Sequence, residues 1–216
     1  MEKVIFQIIK SGNTNCYLVK LGRAYALIDT GTASDKDFLT KLQAIAPLNQ
    51  IEIVILTHGH YDHIGHAAEL QKEYGSKIVI HQKDFDKAAN GTMDFPKARG
   101  LFSNCIRNTT MKEMEHARFI PFNADIVIRS QEQLAHYPQI QIVELPGHTP
   151  GSIGVMLDGN LFVGDLMMNM PIPTKSWFAE DFDILAKSIK KIKELNIQRI
   201  YPGHGNPFSA KWISTF

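Results

Sequence analysis

A chain of 216 residues, 44% hydrophobic and 21% charged, has the makeup of one globular domain with a sizeable core. Its 23 basic and 22 acidic residues leave a formal charge of +1 and no basic run or stripe, which argues against nucleic acid or an anionic membrane as partner. Two cysteines in dissimilar contexts, Cys16 in an apolar run and Cys105 elsewhere, give no disulfide framework and fit a reducing compartment.

No stretch approaches the ~18–20 apolar residues that cross a bilayer. The start, MEKVIFQIIKSG, has a short apolar run broken by Gln7, unlike a secretory leader, so a cytoplasmic location is expected. Residues 3–9, 15–20 and 24–29 read as three short strands separated by Ser11-Gly12 and Leu21-Gly22-Arg23 turns. The third ends in Asp29-Thr30-Gly31, where a carboxylate before glycine can cap the next helix. Phe38, Leu39, Leu42 and Ile45 then fall at helical spacing within Ala33–Ala46, and Pro47 closes that segment.

The apolar strand Ile51–Leu56 runs into Thr57–His66, THGHYDHIGH, and a helix follows to about Tyr74, ended by Gly75. Residues 77–80 form another strand leading to His81, which reads as structural or as part of a site mouth. From Asp84 to about Phe122 the strand–helix rhythm breaks. Phe95, Phe102, Met111, Met114, His116 and Phe119 in this stretch serve either core packing or a cap over an active site. Residues 124–128 and 139–145 return to β-pattern, the second entering Pro146-Gly147-His148-Thr149-Pro150-Gly151-Ser152. Ile153–Leu157 and Leu161–Val163 make a hairpin across Asp158-Gly159-Asn160, and its second arm meets Gly164-Asp165. After the loop LMMNMPIP, Phe182, Leu185, Ile189, Ile192 and Leu195 mark an amphipathic helix. The strand Arg199–Tyr201 leads to Pro202-Gly203-His204-Gly205. With neither linker nor repeat, residues 1–216 read as one domain.

The densest chemistry lies at Thr57–His66, with four histidines and one aspartate within nine positions. His58 and His60, two apart in extended chain, project to the same side. Asp62 and His63 fall where the chain turns into a helix. The stretch can thus present two imidazoles to one cation and a carboxylate plus an imidazole to a second. A lone histidine in a turn is usually just solvated. Crowded imidazoles are different: protonated neighbours repel, whereas neutral ones offer lone pairs that a cation satisfies.

The pattern H-x-H-x-D-H, filled by His58, His60, Asp62 and His63, resembles the signature of the metallo-β-lactamase superfamily. His148 in GHTPGS, Asp165 in GD and His204 in PGHG follow in the order of that family's remaining ligands. The resemblance implies a four-layered αββα sandwich with metals at one edge. It also implies that His58, His60 and His148 bind one metal, that Asp62, His63 and His204 bind the second, and that Asp165 bridges them. Two divalent ions are implied, zinc first, with iron or manganese as alternatives that accept the same donors. Asp29 corresponds to an aspartate that in the family often stands close to the metals, so ligand support stands beside helix capping as its role. His66 lies outside the ligand pattern and reads as an ordinary helix-face histidine. His60, rather than glutamate, points away from a flavodiiron centre, and Asp165, with no cysteine at the second site, away from the β-lactamases proper.

The implied activity is hydrolysis by a hydroxide held between the metals, with Asp62 as the catalytic residue that orients it or passes a proton. The branches most similar are glyoxalase II-like and lactonase-like, which implies a small-molecule thioester or lactone substrate. With Phe216 soon after PGHG, the helical domain with which glyoxalase II holds glutathione is not expected, which counts against a glutathione thioester. The alternatives are a phosphodiesterase or nuclease of the same superfamily, disfavoured by the near-neutral charge, and a mononuclear-iron sulfur dioxygenase. Oligomeric state is not fixed by these patterns.

Overall fold

Short β-branched and aromatic runs cut by glycine turns give a meander at the N-terminus. In the computed structural model, which describes residues 5–100, 103–105, 107, 118–130 and 133–216, β1 (Phe6–Ser11), β2 (Thr14–Leu21) and β3 (Ala24–Ile28) pair antiparallel in succession. Residues 3 and 4 of the expected first strand lie outside the described residues. Helix α1 (Phe38–Gln43) crosses to β4 (Ile51–Ile55), which pairs parallel with β3. Helices α2 (Tyr61–Ile64) and α3 (Ala67–Tyr74) cross to β5 (Lys77–His81), again parallel. Helix α4 (Gln82–Asn90) and the short β6 (Lys97–Ala98) come before β7 (Ile126–Ile128), which closes this half beside β5.

The second half is built from β8 (Gln133–Leu134), β9 (Tyr137–Glu144), β10 (Ile153–Leu157) and β11 (Asn160–Asn169), antiparallel in that order. Two small strands follow: β12 (Pro173–Lys175) against β11, and β13 (Phe178–Ala179) against β6. Helix α5 (Phe182–Ile192) then crosses to β14 (Arg199–Gly205), parallel to β11, and β15 (Phe208–Ser209) turns back on β14.

The layering follows from strand alternation. Along β2, Cys16 and Leu18 join a core with Phe38, Leu42, Leu70 and Ala88 of the helices on the outer face. Tyr17 and Val19 point the other way, into a second core shared with Ile142, Val155 and Phe162 of the second half. Behind that half, Val143, Leu161 and Ile200 form a third core with Leu185, Ile189 and Ile192 of α5. Three apolar layers between helix, sheet, sheet and helix are the αββα sandwich. The two sheets touch edge to edge where Thr14 of β2 pairs with His204 of β14.

Several elements differ in extent from the sequence expectation. The helix expected over Ala33–Ala46 forms only at Phe38–Gln43, because side chains compete for its leading amides. Thr32 Oγ1 accepts from Ser34 N, and Asp35 Oδ1 accepts from Asp37 N. The helix after the histidine motif is split at Gly65, whose N–H donates to Gly31 O at 2.8 Å instead of staying in the helix. β11 continues through Asn169 because β12 pairs with its far end, so part of the expected loop is strand. β14 likewise runs on to Gly205 and carries His204 in the strand rather than in a turn. Of the expected cap at about 84–122, Phe102, Met111, Met114 and His116 lie outside the described residues. Phe119 packs against the outer core, whereas Phe95 lines a cavity. Among the described residues no helix is long and apolar enough to cross a membrane.

Candidate metal centre

Strand ends and turns deliver polar side chains to one edge of the sandwich. The segment after β4 carries His58, His60, Asp62 and His63, the β9–β10 turn carries His148, β11 carries Asp165, and β14 carries His204. Among the described residues, three groups have their potential ligand atoms within 4.8 Å of one another: His58, His60 and His148; His58, His63 and Asp165; Asp62, His63 and His204. The shared members merge them into one cluster. All seven residues singled out as ligands in the sequence come together here.

The ring nitrogens show which side of each imidazole faces inward. His58 Nε2 and His148 Nε2 approach His60 Nδ1 at 3.2 and 3.0 Å. Across the cluster, His63 Nε2 lies 3.3 Å from Asp165 Oδ1, and His204 Nε2 lies 3.2 Å from Asp165 Oδ2 and 3.4 Å from Asp62 Oδ2. The outward nitrogens of four imidazoles are held by acceptors, and the fifth, His60 Nε2, is buried without a hydrogen-bond partner. His148 Nδ1 donates to Phe178 O at 2.8 Å and His204 Nδ1 to Asn13 O at 3.0 Å. His63 Nδ1 sits 2.8 Å from Asp29 Oδ2. Thr57 gives its hydroxyl proton to Asp29, which leaves Thr57 Oγ1 to accept from His58 Nδ1 at 3.0 Å.

These outer bonds fix the tautomers, so His58 Nε2 and His148 Nε2 both present lone pairs toward His60 Nδ1. A cation between the three nitrogens would satisfy both lone pairs at once. Consistent with that, His63 Nε2 and Asp165 Oδ1 are buried without a hydrogen-bond partner, since their 3.3 Å approach is not aligned as one. The donor set of imidazole nitrogens and carboxylate oxygens suits zinc or a similar divalent ion. Gly203 makes the approach possible: a Cβ there would stand 2.3 Å from Asp165 Oδ1 and 2.7 Å from the His63 ring.

Electrostatics divide the cluster in two. Burial, reinforced by neighbouring imidazoles, holds His58 and His60 well below the usual histidine range, and burial also lowers His148. His63 and His204 go the other way. Burial opposes their charge, but the carboxylates of Asp165 and Asp62 overcome it, raising His63 well above its ordinary value and His204 to about 10. Asp62 and Asp165 are partly buried, which works against their charge, and the facing imidazoles nonetheless hold both well below the carboxylate range. One side is a neutral imidazole cage and the other a balanced imidazole–carboxylate nest.

The other sequence candidates also find places. Asp29, with φ 61, accepts from Thr57 N and Thr57 Oγ1, each at 2.8 Å, and holds His63. Of its two readings, ligand support is the one the contacts match. His66 is buried rather than on an open helix face: it stacks on Phe38 and reaches Thr32 O at 3.0 Å. His81 Nδ1 accepts from Lys83 N and so caps α4, a structural task. Sequence reasoning missed Thr14, whose hydroxyl donates to Asp62 Oδ2 at 3.2 Å, and Asp84, buried beneath the histidine loops. Neither has a local signal, since their partners lie 25 to 67 residues away. A cavity of about 880 Å3 opens above the cluster, with His60, Asp62, His148, Asp165 and His204 in its lining.

A sandwich of this kind, with five histidines and two aspartates gathered at the sheet edge, defines a class of metal-centre proteins. The sequence model of the metallo-β-lactamase superfamily matches residues 9–204, and the chain belongs to that family. It is 26% identical over 198 residues to a protein of Methanocaldococcus jannaschii named "Probable metallo-hydrolase MJ0888", covering 89% of this chain and 88% of that one. A hydroxyacylglutathione hydrolase, GloC, of Haemophilus influenzae is 28% identical over 191 residues, covering 84% of this chain and 80% of that one. Among solved structures, the archaeal superfamily protein ST1585 of Sulfolobus tokodaii has a similar fold. It superposes with a TM-score of 0.72 at 20% identity, over 97% of this chain and 83% of its own.

Proposed function

We propose that this chain is a dinuclear, zinc-dependent hydrolase of a small ester-like substrate, a thioester or lactone. The observation that carries the reading is the convergence on His60 Nδ1 of His58 Nε2 and His148 Nε2, whose outward partners leave them only lone pairs to present. His58, His60 and His148 would hold one ion, Asp62, His63 and His204 the other, with the Asp165 carboxylate between them. Two such ions supply Lewis acidity and a nucleophile at neutral pH when bound.

The chain's own groups do the rest. Thr14 fixes the Asp62 carboxylate, which borders the cavity and is placed to orient an incoming water and take its proton. Phe95, Met168, Met170, Trp177 and Phe178 give the cavity apolar walls that fit an acyl chain or a lactone ring. Lys36, Arg107 and Arg118 also line it and suit a substrate that carries an anionic end. Hydroxyacylglutathione hydrolase activity in a relative supports the thioester choice. Cys16 is a buried thiol of the outer core, which supports a reducing, cytoplasmic setting.

The test is a metal assay followed by a screen of thioesters, lactones, β-lactams and phosphodiesters. About two zinc ions per chain and zinc-dependent turnover of a thioester or lactone are expected. One iron per chain, or turnover confined to phosphodiesters, would overturn the proposal.

A further inference from the structure

Beneath the cluster, Asp84 near the start of α4 is fully buried yet points a carboxylate at two loops that are distant in sequence. Its Oδ2 accepts from Gly59 N at 2.9 Å and from the Thr149 hydroxyl at 2.6 Å, and its Oδ1 accepts from Gly151 N at 3.1 Å. Gly59 lies between His58 and His60, and Thr149 and Gly151 follow His148. One carboxylate therefore joins the two loops that bear all three imidazoles of the first group. The carboxylate also fills the space a side chain at residue 151 would need, since a Cβ on Gly151 would stand 2.6 Å from Asp84 Cγ.

A second strap runs in parallel. Lys87, one turn along α4, is 3.9 Å from Asp84 and 2.6 Å from Glu180, whose N–H donates to His148 O at 3.0 Å. The second metal group rests on other supports: Asp29 under His63, Thr14 on Asp62 and the Asn13 carbonyl on His204. Among the described residues no hydrogen bond links Asp84 to Asp62, His63 or His204.

We infer that Asp84 is a positioning residue that holds His58, His60 and His148 at metal-binding spacing without itself touching the metal. This rests on the metal-centre reading above and assigns the support of one of its two sites. A carboxylate offers two acceptor oxygens and no donor, which suits three donors that reach it from two loops. Asparagine keeps the volume but has a single acceptor oxygen. With that oxygen in the Oδ2 place, Gly59 and Thr149 keep their partner and Gly151 N–H faces an amide NH2.

The experiment compares the wild-type chain with Asp84→Asn, Thr149→Val and Thr149→Ser, each stripped of metal and titrated with zinc against a chromophoric chelator. Amide hydrogen exchange is read on the metal-free proteins. Wild type is expected to bind two zincs. Asp84→Asn and Thr149→Val should each bind one of them about 10–100-fold more weakly, the range seen when supporting partners of metal ligands are removed. The other zinc should be unchanged, and Thr149→Ser, which keeps the hydroxyl, should restore wild-type binding. In metal-free Asp84→Asn the Gly151 amide should exchange faster while the amides of β3 and β4 stay protected, which separates a loosened loop from a failed fold. Wild-type affinity at both sites in Asp84→Asn, or equal loss at both, overturns the inference. A wild-type chain that binds no zinc sinks the metal-centre reading and the inference with it. In that case the exchange data still report whether Asp84 ties the loops.

Discussion

Asp165 faces both halves of the cluster, reaching His63 and His204 through one oxygen each and His148 at 3.6 Å. Asp165→Ala should therefore cut zinc stoichiometry from about two to about one and remove most turnover, with circular dichroism unchanged. Full turnover with both zincs retained would contradict the bridging role. The histidines also give the metal-free chain a pH signature. His58, His60 and His148 are depressed, so the folded state takes up fewer protons there than the unfolded one, and stability rises as pH climbs to the ordinary histidine value of 6.5. His63 and His204 are raised, His204 to about 10. Their contribution is full below 6.5 and drains away as pH rises through the folded value. The Tm of chelator-treated protein should thus peak at about pH 6.5–7 and fall toward about pH 10. Zinc displaces the protons on His63 and His204, so the Tm gain from zinc should grow across the alkaline window. A flat profile of that gain between pH 7 and 9 would show that the two imidazoles are not protonated in the metal-free state.

Elements were legible in the sequence where one physical cause dominates. The β10–β11 hairpin forms around Asp158-Gly159-Asn160, with Asp158 and Gly159 both at positive φ, and the turn chemistry alone requires it. Helix α5 shows apolar spacing against a lysine-rich face, and Asp181 caps it by accepting from Asp183 N and Ile184 N, each at 2.9 Å. That cap also sits beside the site, because Asp181 N donates to the carbonyl of Gly147, next to His148. Asp181→Ala should cost about 1 kcal/mol, read as a lower urea midpoint at constant m. Zinc binding should change little, because the backbone donor survives the substitution. Less legible were the segment over Ala33–Ala46, where hydroxyl and carboxylate competitors broke a good apolar period, and the far ends of β11 and β14. Those two strands are extended by pairing with β12 and by the Thr14–His204 contact, neither of which has a local signature. The seven candidate ligands were legible because each stands in a short motif at a strand end. Asp84 and Thr14 were not, because their meaning lies in contacts across the fold.

At the scale of the molecule, the candidate centre is a joint between two half-structures. His58, His60, Asp62 and His63 come from the first half, and His148, Asp165 and His204 from the second, the halves being joined into one hydrogen-bonded sheet where β2 meets β14. Away from the site, the halves are held by the inter-sheet core, where Phe6, Tyr17, Phe162 and Tyr201 pack ring against ring at 4.8 to 5.7 Å. Two of those rings connect to the ligands. The Tyr17 hydroxyl donates to Pro202 O at 2.6 Å, two residues before His204, and Tyr201 precedes Pro202 directly. Phe162, fully buried between the sheets, is the cleanest probe of this coupling. Phe162→Ala should destabilise the metal-free chain by about 3–5 kcal/mol through lost burial and the cavity left behind. Zinc at 100 times its dissociation constant returns about 2.7 kcal/mol for each site that binds the folded state alone. The two magnitudes are close, so metal should recover much of the lost stability provided the ligands still converge. Urea unfolding of wild type and Phe162→Ala, with and without zinc, decides the matter. Equal zinc increments would mean the core and the centre act independently. A smaller increment in Phe162→Ala would mean that sheet packing sets the ligand geometry, and the hydrogen bond from Tyr17 to the strand bearing His204 favours this second outcome.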